Sequence, residues 1–374
     1  GLEYNINLRD YDNRIVDKIY EYDLNNLRYR SAEQQKDHFG YTDQNITARY
    51  TNAETGKYAF QAKLNLNISD SFSNGNGQSV FSQGNLQNEH VTVHNRASNY
   101  LNPTLDLYYS KNIGKKDELS LNLVGSHYDT NSTQFDREWI LNSNQDVFNN
   151  DMILKAKQNG IVAEVAHSHS FEKGKLNSGY RISNNSISND LQNLAGNSNY
   201  TVNYLQQYLY TEYSGKKDKF TYRLGLGLTN IHNKSAETTF DEWAFTPKIV
   251  LGYQLKNNQS IRFSSSYIPQ SPSSDALSSN VVQVVPNIVR TGNPYLKSQH
   301  SFGNNLVYSF NSKYFDLNAN AFYWFSNRAS NQYYVLNQNV DGYLLTYENA
   351  KNSQQYGIQL TGSVKPFGNN LLVV

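Results

Sequence analysis

Along residues 314–327, Phe315, Leu317, Ala319, Ala321, Tyr323 and Phe325 alternate with Asp316, Asn318 and Asn320. Strict alternation puts one set on one face of a β-strand and the other set on the opposite face. The run is roughly twice the about 5–6 residues of an ordinary globular strand. Residues 58–70 repeat the pattern. There Tyr58, Phe60, Ala62, Leu64, Leu66 and Ile68 alternate with residues that include Gln61, Lys63, Asn65 and Asn67. The same reading predicts strands over 1–9, 42–51, 99–110, 118–130, 159–170, 175–188, 201–213, 219–232, 243–255, 259–267, 300–310 and 352–364. A further hairpin is expected over 333–338 and 343–348, and a strand barely begun at 371–374 after a turn at 365–370.

Connections alternate between short turns and long polar stretches. Two of the turns share the wording Gly-Lys-Lys-Asp, at 114–117 and 215–218. Aromatic residues gather at both strand ends. Tyr58, Phe60, Tyr108, Tyr109, Tyr210, Tyr213, Phe220, Tyr222, Tyr253, Tyr308 and Phe310 lie beside short turns. Tyr128, Trp243, Tyr267, Trp324, Phe325 and Tyr356 lie beside long stretches. Alternating strands of about ten residues, girdled by aromatics and joined by short periplasmic turns and long extracellular loops, are the signature of a transmembrane antiparallel β-barrel. Thirteen residues at ~3.3 Å each, tilted by ~45°, span about 30 Å, the thickness of a hydrocarbon core.

The register is strongly specified. Arg49, Lys63, Arg181, Arg223, Lys248 and Arg262 all fall opposite the apolar row, so they point into the lumen. On the lipid face each would cost about 2–4 kcal/mol near the midplane. With Arg9 they outnumber the inward acids Asp106 and Glu164, which suits contact with a plug or with an anionic solute. A water-filled barrel with mixed charges inside reads the same way. Pro103 and Pro247 are awkward within strands and sit toward the long-loop end. The rhythm gives about fifteen strands, whereas a barrel with a plugged lumen has about 22. Residues 1–374 are therefore expected to form part of one barrel domain, with signal peptide and plug upstream of Gly1.

Composition refines this picture without redirecting it. The chain has 374 residues, is 38% hydrophobic and contains Tyr 30 and Phe 17 against Met 1. Its mean hydropathy is -0.70. No apolar run reaches the roughly eighteen residues of a transmembrane helix. A net charge of +1 gives no bulk field toward nucleic acid or an anionic membrane surface. Cysteine is absent, which fits passage through an oxidising periplasm.

Catalytic constellations are thin: no nucleophile elbow, no His-Glu-x-x-His and no phosphate loop occurs, so no enzymatic activity and no cofactor are expected. His167 and His169 share a strand face, and a pair at that spacing is able to bind a metal. The polar wall of a barrel is the plainer home for them. His90 and His94 fall in a predicted loop, as do the carboxylates Glu89, Asp241 and Glu242, which lack calcium-loop spacing. No metal site is predicted.

The stretch Gly292-Asn293-Pro294-Tyr295-Leu296-Lys297 resembles the G-N-P-x-L-K-P-E signature of TonB-dependent outer-membrane receptors, departing from it at Ser298-Gln299. Phe322-Tyr323 and the run from Arg262 to Tyr267 with Pro269 look like the family's flanking strands. The motif residues are Gly292, Asn293, Pro294, Leu296 and Lys297. The resemblance implies a Gram-negative outer-membrane barrel, a plug, a partner TonB system and energised import of a scarce ligand. The alternative is a receptor-like barrel that no longer transports and serves as a structural subunit of an outer-membrane assembly, secretion or surface-lipoprotein complex. Outer-membrane lipid is the expected partner in both readings, and nucleic acid in neither.

Overall fold

A computed structural model describes residues 1–368 apart from 195, 286 and 338–341. The expected strand stub at 371–374 lies outside the described residues. Almost everything else is strand. The first hairpins are tall: β1 (Leu2–Leu24), β2 (Leu27–Glu54), β3 (Tyr58–Gln83), β4 (Leu86–Asn112), β5 (Asp117–Ile140), β6 (Asp146–Phe171), β7 (Gly174–Asn193) and β8 (Gly196–Lys217). Shorter strands follow: β9 (Phe220–Lys234), β10 (Thr239–Phe245), β11 (Lys248–Lys256) and β12 (Gln259–Gln270). After a short helix α1 (Ser274–Leu277) come β13 (Val282–Val285), β14 (Ile288–Arg290), β15 (Gln299–Asn311) and β16 (Phe315–Asn327). The last are β17 (Ser330–Asn337), β18 (Gly342–Asn349) and β19 (Asn352–Val364).

A single 15-stranded sheet runs in order from β1 through β9, then β11, β12, β15, β16 and β19, with β10 paired to β9. Each neighbour is antiparallel. Among the described residues β1 and β19 do not pair with each other, so the sheet is a barrel wall that is not closed. The two faces follow the alternation. On the outer row, Leu121 faces Val165 and Leu209 faces Tyr180 and Leu228. Leu226 and Ile358 of that row keep 56% and 74% of their surface uncovered, as a lipid-facing row requires.

The long polar stretches are where structure and pattern part. Expected as loops, most are strand: β2 runs 28 residues and β3 26. At ~3.3 Å per residue and ~45° of tilt, 28 residues reach about 65 Å, roughly twice the bilayer core. The upper half of these strands stands in water on its outer side and carries polar groups on its inner side, so hydrophobic alternation fades although the ladder continues. Their tips close tightly. Asn25 and Asn26 both have positive φ (53° and 61°), as a type I′ two-residue hairpin needs, and Gly84 (φ 55°) turns the next. Residues 243–255, expected as one strand, divide into β10 and β11 at Thr246-Pro247, because proline cannot donate to the ladder. Pro103 faces Leu66 on β3, while on its other side the β4–β5 ladder resumes only at Thr104.

Some aromatics expected in the girdles face inward. Tyr108, Tyr128, Tyr210 and Trp324 fall on the row of Asp106, Val124, Glu164 and Asn305. Ring pairing explains this for two of them: Tyr100 and Tyr128 pack at 5.6 Å, and Tyr208 and Tyr210 stack at 5.1 Å. His167 and His169 move the other way. They face Leu119 and Asp117 on the outer row, near the short-turn edge, and both approach Asp117 Oδ1, at 3.0 and 2.7 Å.

The stretch between β12 and β15 and the one between β16 and β19 join in a four-stranded sheet, ordered β13-β14-β18-β17, whose β14–β18 pairing is parallel. Ala276, Leu277 and Leu296 pack against Tyr200 and Val202 of β8, forming a buried apolar cluster among the described residues. At its far side the small sheet touches the tip of β1. Tyr343 donates to the Asp23 carbonyl, and Asn287 Nδ2 donates to Tyr22 Oη at 3.3 Å. This sheet bridges the long-loop end of the wall.

Candidate functional site: the inner wall and its mouth

Three groups of residues occupy the inner side. The lowest is the basic set within the membrane span. Arg49 lies directly opposite Lys63, and Lys63 opposite Asp106, so the carboxylate neighbours one cation of a repulsive pair. Glu164 lies opposite Arg181, but its carboxylate accepts from Tyr210 Oη at 2.6 Å. Arg223 and Lys248 flank Glu212, at 3.3 and 3.7 Å. Glu212 is an inward acid beyond the expected Asp106 and Glu164. Arg262 lies opposite Gly252 and Val307.

Arg181 and Lys248 line one recess of about 360 Å³ together with Ser183, Gln206, Tyr208 and Thr229. Thr246, Ser266 and Tyr267 also line it. Tyr208 and Thr246 of this lining close in over Gly227, where a Cβ would meet the Tyr208 ring and, at 2.6 Å, Thr246 Oγ1. Among the described residues Arg181 has no ion-pair partner, so its guanidinium is free for a planar anion.

Above the membrane, a second group is built from β1 to β5. Its centre is His94. Nε2 faces Glu33 Oε1 at 2.8 Å and Nδ1 faces Asp136 Oδ1 at 2.7 Å. Carboxylates only accept, so both ring nitrogens donate and the imidazole is charged. Thr92 Oγ1 donates to Glu33 at 2.6 Å, Lys18 stands 3.5 Å from it, and Arg96 stands 3.6 Å from Asp136. Burial by itself raises the Glu33 and Asp136 carboxyls, but hydrogen bonds led by His94 overcome it and bring each down to about 2. Burial lowers His94, and the same two hydrogen bonds outweigh it and raise the imidazolium. Beside this centre, His90 Nδ1 meets Glu138 Oε1 at 2.6 Å, and Asp37 takes Arg14, Ser73 and Gln35. His90, His94 and Glu89 thus lie on strand β4, and Asp241 and Glu242 on β10, instead of in loops. The β4 histidines are tied to carboxylates; among the described residues no group of three His, Asp or Glu side chains is arranged to hold a metal.

The third group is the Gly-Asn-Pro stretch, a clasp at the base of the bridging sheet. Gly292 N donates to the Ser278 carbonyl at 2.8 Å and Asn293 N to Ala276 at 2.6 Å. The Asn293 side chain works in both directions: Oδ1 accepts from Tyr295 N and Nδ2 donates to the Tyr347 carbonyl, both at 3.0 Å. Pro294 presets the turn that Leu296 N closes back to the Asn293 carbonyl at 3.3 Å. Leu296 is buried in the apolar cluster. Lys297 contributes backbone only, its N–H and C=O meeting the Asn349 amide at 2.8 and 3.0 Å. Ser298, where the related signature has proline, is fully buried. The clasp ties α1, β18 and the start of β15 together.

The family profile described as the outer membrane protein beta-barrel family matches residues 111–371, well over half of the chain. No curated protein matches. Solved structures with the same fold include the copper transporter OprC, at 9% identity and a TM-score of 0.58, covering 98% of this chain and 59% of that one. The ferripyoverdine receptor of the Pseudomonas aeruginosa outer membrane, at 10% identity and TM-score 0.54, covers 90% of this chain and 54% of that one. The chain spans a little over half the length of these receptors, and at such identities the likeness is one of fold. The expected likeness to the barrel of TonB-dependent receptors is met by fold and family together. The chain belongs to the outer membrane protein beta-barrel family and resides in the outer membrane of a Gram-negative bacterium.

Proposed function

We propose that the chain is the barrel wall of a TonB-dependent importer, which moves a scarce anionic ligand inward without changing it chemically. The observation that carries this is the Arg181–Lys248 recess. It offers an unpaired guanidinium and several hydroxyls on the inner face, below a mouth that the clasped sheet partly bridges. A wall that served only to span lipid would gain nothing from an unpaired cation held over a polar recess. The relatives of this fold include a copper transporter and a ferripyoverdine receptor, which supports import of a bound cargo as the class of activity. In this reading the bridging sheet and tall hairpins select the ligand, the recess holds it in transit, and a plug with its TonB contact supplies the energy.

The test compares the growth medium of wild-type, deletion and Arg181→Gln/Lys248→Gln strains by mass spectrometry, with and without a protonophore. An anionic solute removed by wild-type cells should persist in the other two media and under the protonophore. Identical media for all strains would contradict the proposal.

A further inference from the structure

The fold sorts charge that the net value of +1 hides. Three short turns stand side by side at one edge of the wall, between β4 and β5, β6 and β7, and β8 and β9. They carry Lys115, Lys116, Lys173, Lys216, Lys217 and Lys219, all exposed. The nearby acids are partly occupied. Asp117 is held by His167 and His169, and Glu118 lies 3.4 Å from Lys175, leaving Glu172 and Asp218. Among the described residues none of those six lysines has an ion-pair partner.

An aromatic chain fixes the depth of this edge. On the outer side, His169 meets Phe171 at 4.5 Å, Phe171 meets Tyr213 at 6.1 Å, and Tyr213 meets Tyr222 at 5.9 Å. Tyr222 in turn packs with Phe220 at 6.0 Å. Amphipathic rings settle at the headgroup level of a bilayer. The lysines follow within a few residues, so at ~3.3 Å per residue their ammonium groups lie within about 10 Å of that level, inside a Debye length. We propose that this edge is a lysine collar that recruits anionic glycerophospholipid headgroups from the periplasmic leaflet. The reading rests on the short turns facing the periplasm. A net charge of +1 gives no bulk field, and the collar is a matter of where the charges are placed.

The detergent-solubilised full-length protein is incubated with an equimolar mixture of phosphatidylglycerol and phosphatidylcholine, washed, and the retained lipid measured by mass spectrometry. Retained phosphatidylglycerol should exceed phosphatidylcholine by at least about fivefold, the effect of one lysine near an anionic surface. Substituting the six lysines by glutamine should bring the ratio close to one, whereas Lys155→Gln/Lys157→Gln/Lys234→Gln/Lys351→Gln, at the opposite end, should leave it high. For the unmodified protein, about 0.5 M salt should also abolish the preference. Equal retention of both lipids, or a preference that survives the collar substitutions or salt, overturns the proposal. Orientation is checked separately with Lys116→Cys and Ser143→Cys and an impermeant maleimide on intact cells. Labelling of the first would defeat the periplasmic placement, whereas protection of the first with absent lipid preference would defeat the collar alone.

Discussion

Gly292 is pressed against Ser278: its N–H donates to the Ser278 carbonyl at 2.8 Å, and a Cβ would stand 2.6 and 2.7 Å from the Asp275 and Ala276 carbonyls. No flexible side chain is available there to yield, since all the obstructing atoms are backbone. Gly292→Ala should therefore open the clasp while leaving the membrane strands intact. Limited proteolysis should show cleavage within residues 271–298 at least about tenfold faster than in wild type, corresponding to about 1.4 kcal/mol of lost local stability. Heat-modifiable mobility of the barrel should stay unchanged. Equal cleavage rates would show that the clasp does not depend on this contact.

The His94 centre predicts a pH window for the wall above the membrane. A raised imidazolium contributes stability below its unfolded value of about 6.5 and loses it as pH climbs through the higher folded value. Glu33 and Asp136 have lowered carboxyls, so their contribution is present above about 4 and is lost as pH falls toward about 2. The tall hairpins should thus be most protected in mildly acidic to neutral solution and loosen as pH rises. His94→Gln should cost about 1.5–3 kcal/mol at pH 6, the range of a hydrogen bond to a charged group, and remove the alkaline loss. Hydrogen exchange of residues 89–96 across pH, corrected for intrinsic rates, reads both effects; a flat profile in the wild type would contradict the pairing.

Arg181 is exposed and unpaired, so stability should not depend on it. Arg181→Gln is expected to shift unfolding by less than about 0.5 kcal/mol, as for surface positions free of special features. The same change should reduce uptake of the anionic solute. Gly227→Ala offers a complementary probe: by displacing the Tyr208 ring it should fill the recess and reduce uptake even though both cations remain. Urea titration of the reconstituted protein, paired with uptake, separates the two outcomes.

The two rows of β16 should answer oppositely to one charge. Ala321→Arg places a cation on the lipid row and should cost about 2–4 kcal/mol near the midplane. Asn320→Arg, one residue away on the row of Val307 and Gln359, should cost far less. Similar costs at both positions would put the register in doubt.

How much of this was legible depends on where water meets the wall. Inside the bilayer the outer row must be apolar and the inner row polar, so Leu317, Ala319 and Ala321 against Asp316, Asn318 and Asn320 declare strand, face and register together. Above the bilayer the outer face meets water and no longer has to be apolar. A segment such as residues 31–38, with Glu33, Gln35 and Asp37 turned inward and Gln34, Lys36 and His38 outward, carries no alternation at all. The local signals that remained were turn residues, Asn25-Asn26 and Gly84-Asn85, which mark two-residue hairpins between strands longer than the bilayer requires. The inward basic residues followed from register alone. The His94 centre did not, because Glu33 and His94 are 61 residues apart and meet only once the ladders of β2, β3 and β4 are aligned. The lysines of the short-turn edge were hidden in the sum for the same reason: topology decides which turns share an edge.

These strands cross a bilayer with an oily exterior and a wet interior, and the absence of cysteine from these 374 residues permits a direct measurement. Single cysteines at positions 316–323, spin-labelled in the full-length protein reconstituted into lipid, report access to oxygen and to a water-soluble nickel complex. Labels at 317, 319, 321 and 323 should favour oxygen and those at 316, 318 and 320 nickel, alternating residue by residue. Uniform access to nickel along the whole strand would contradict a membrane wall and the import reading that rests on it.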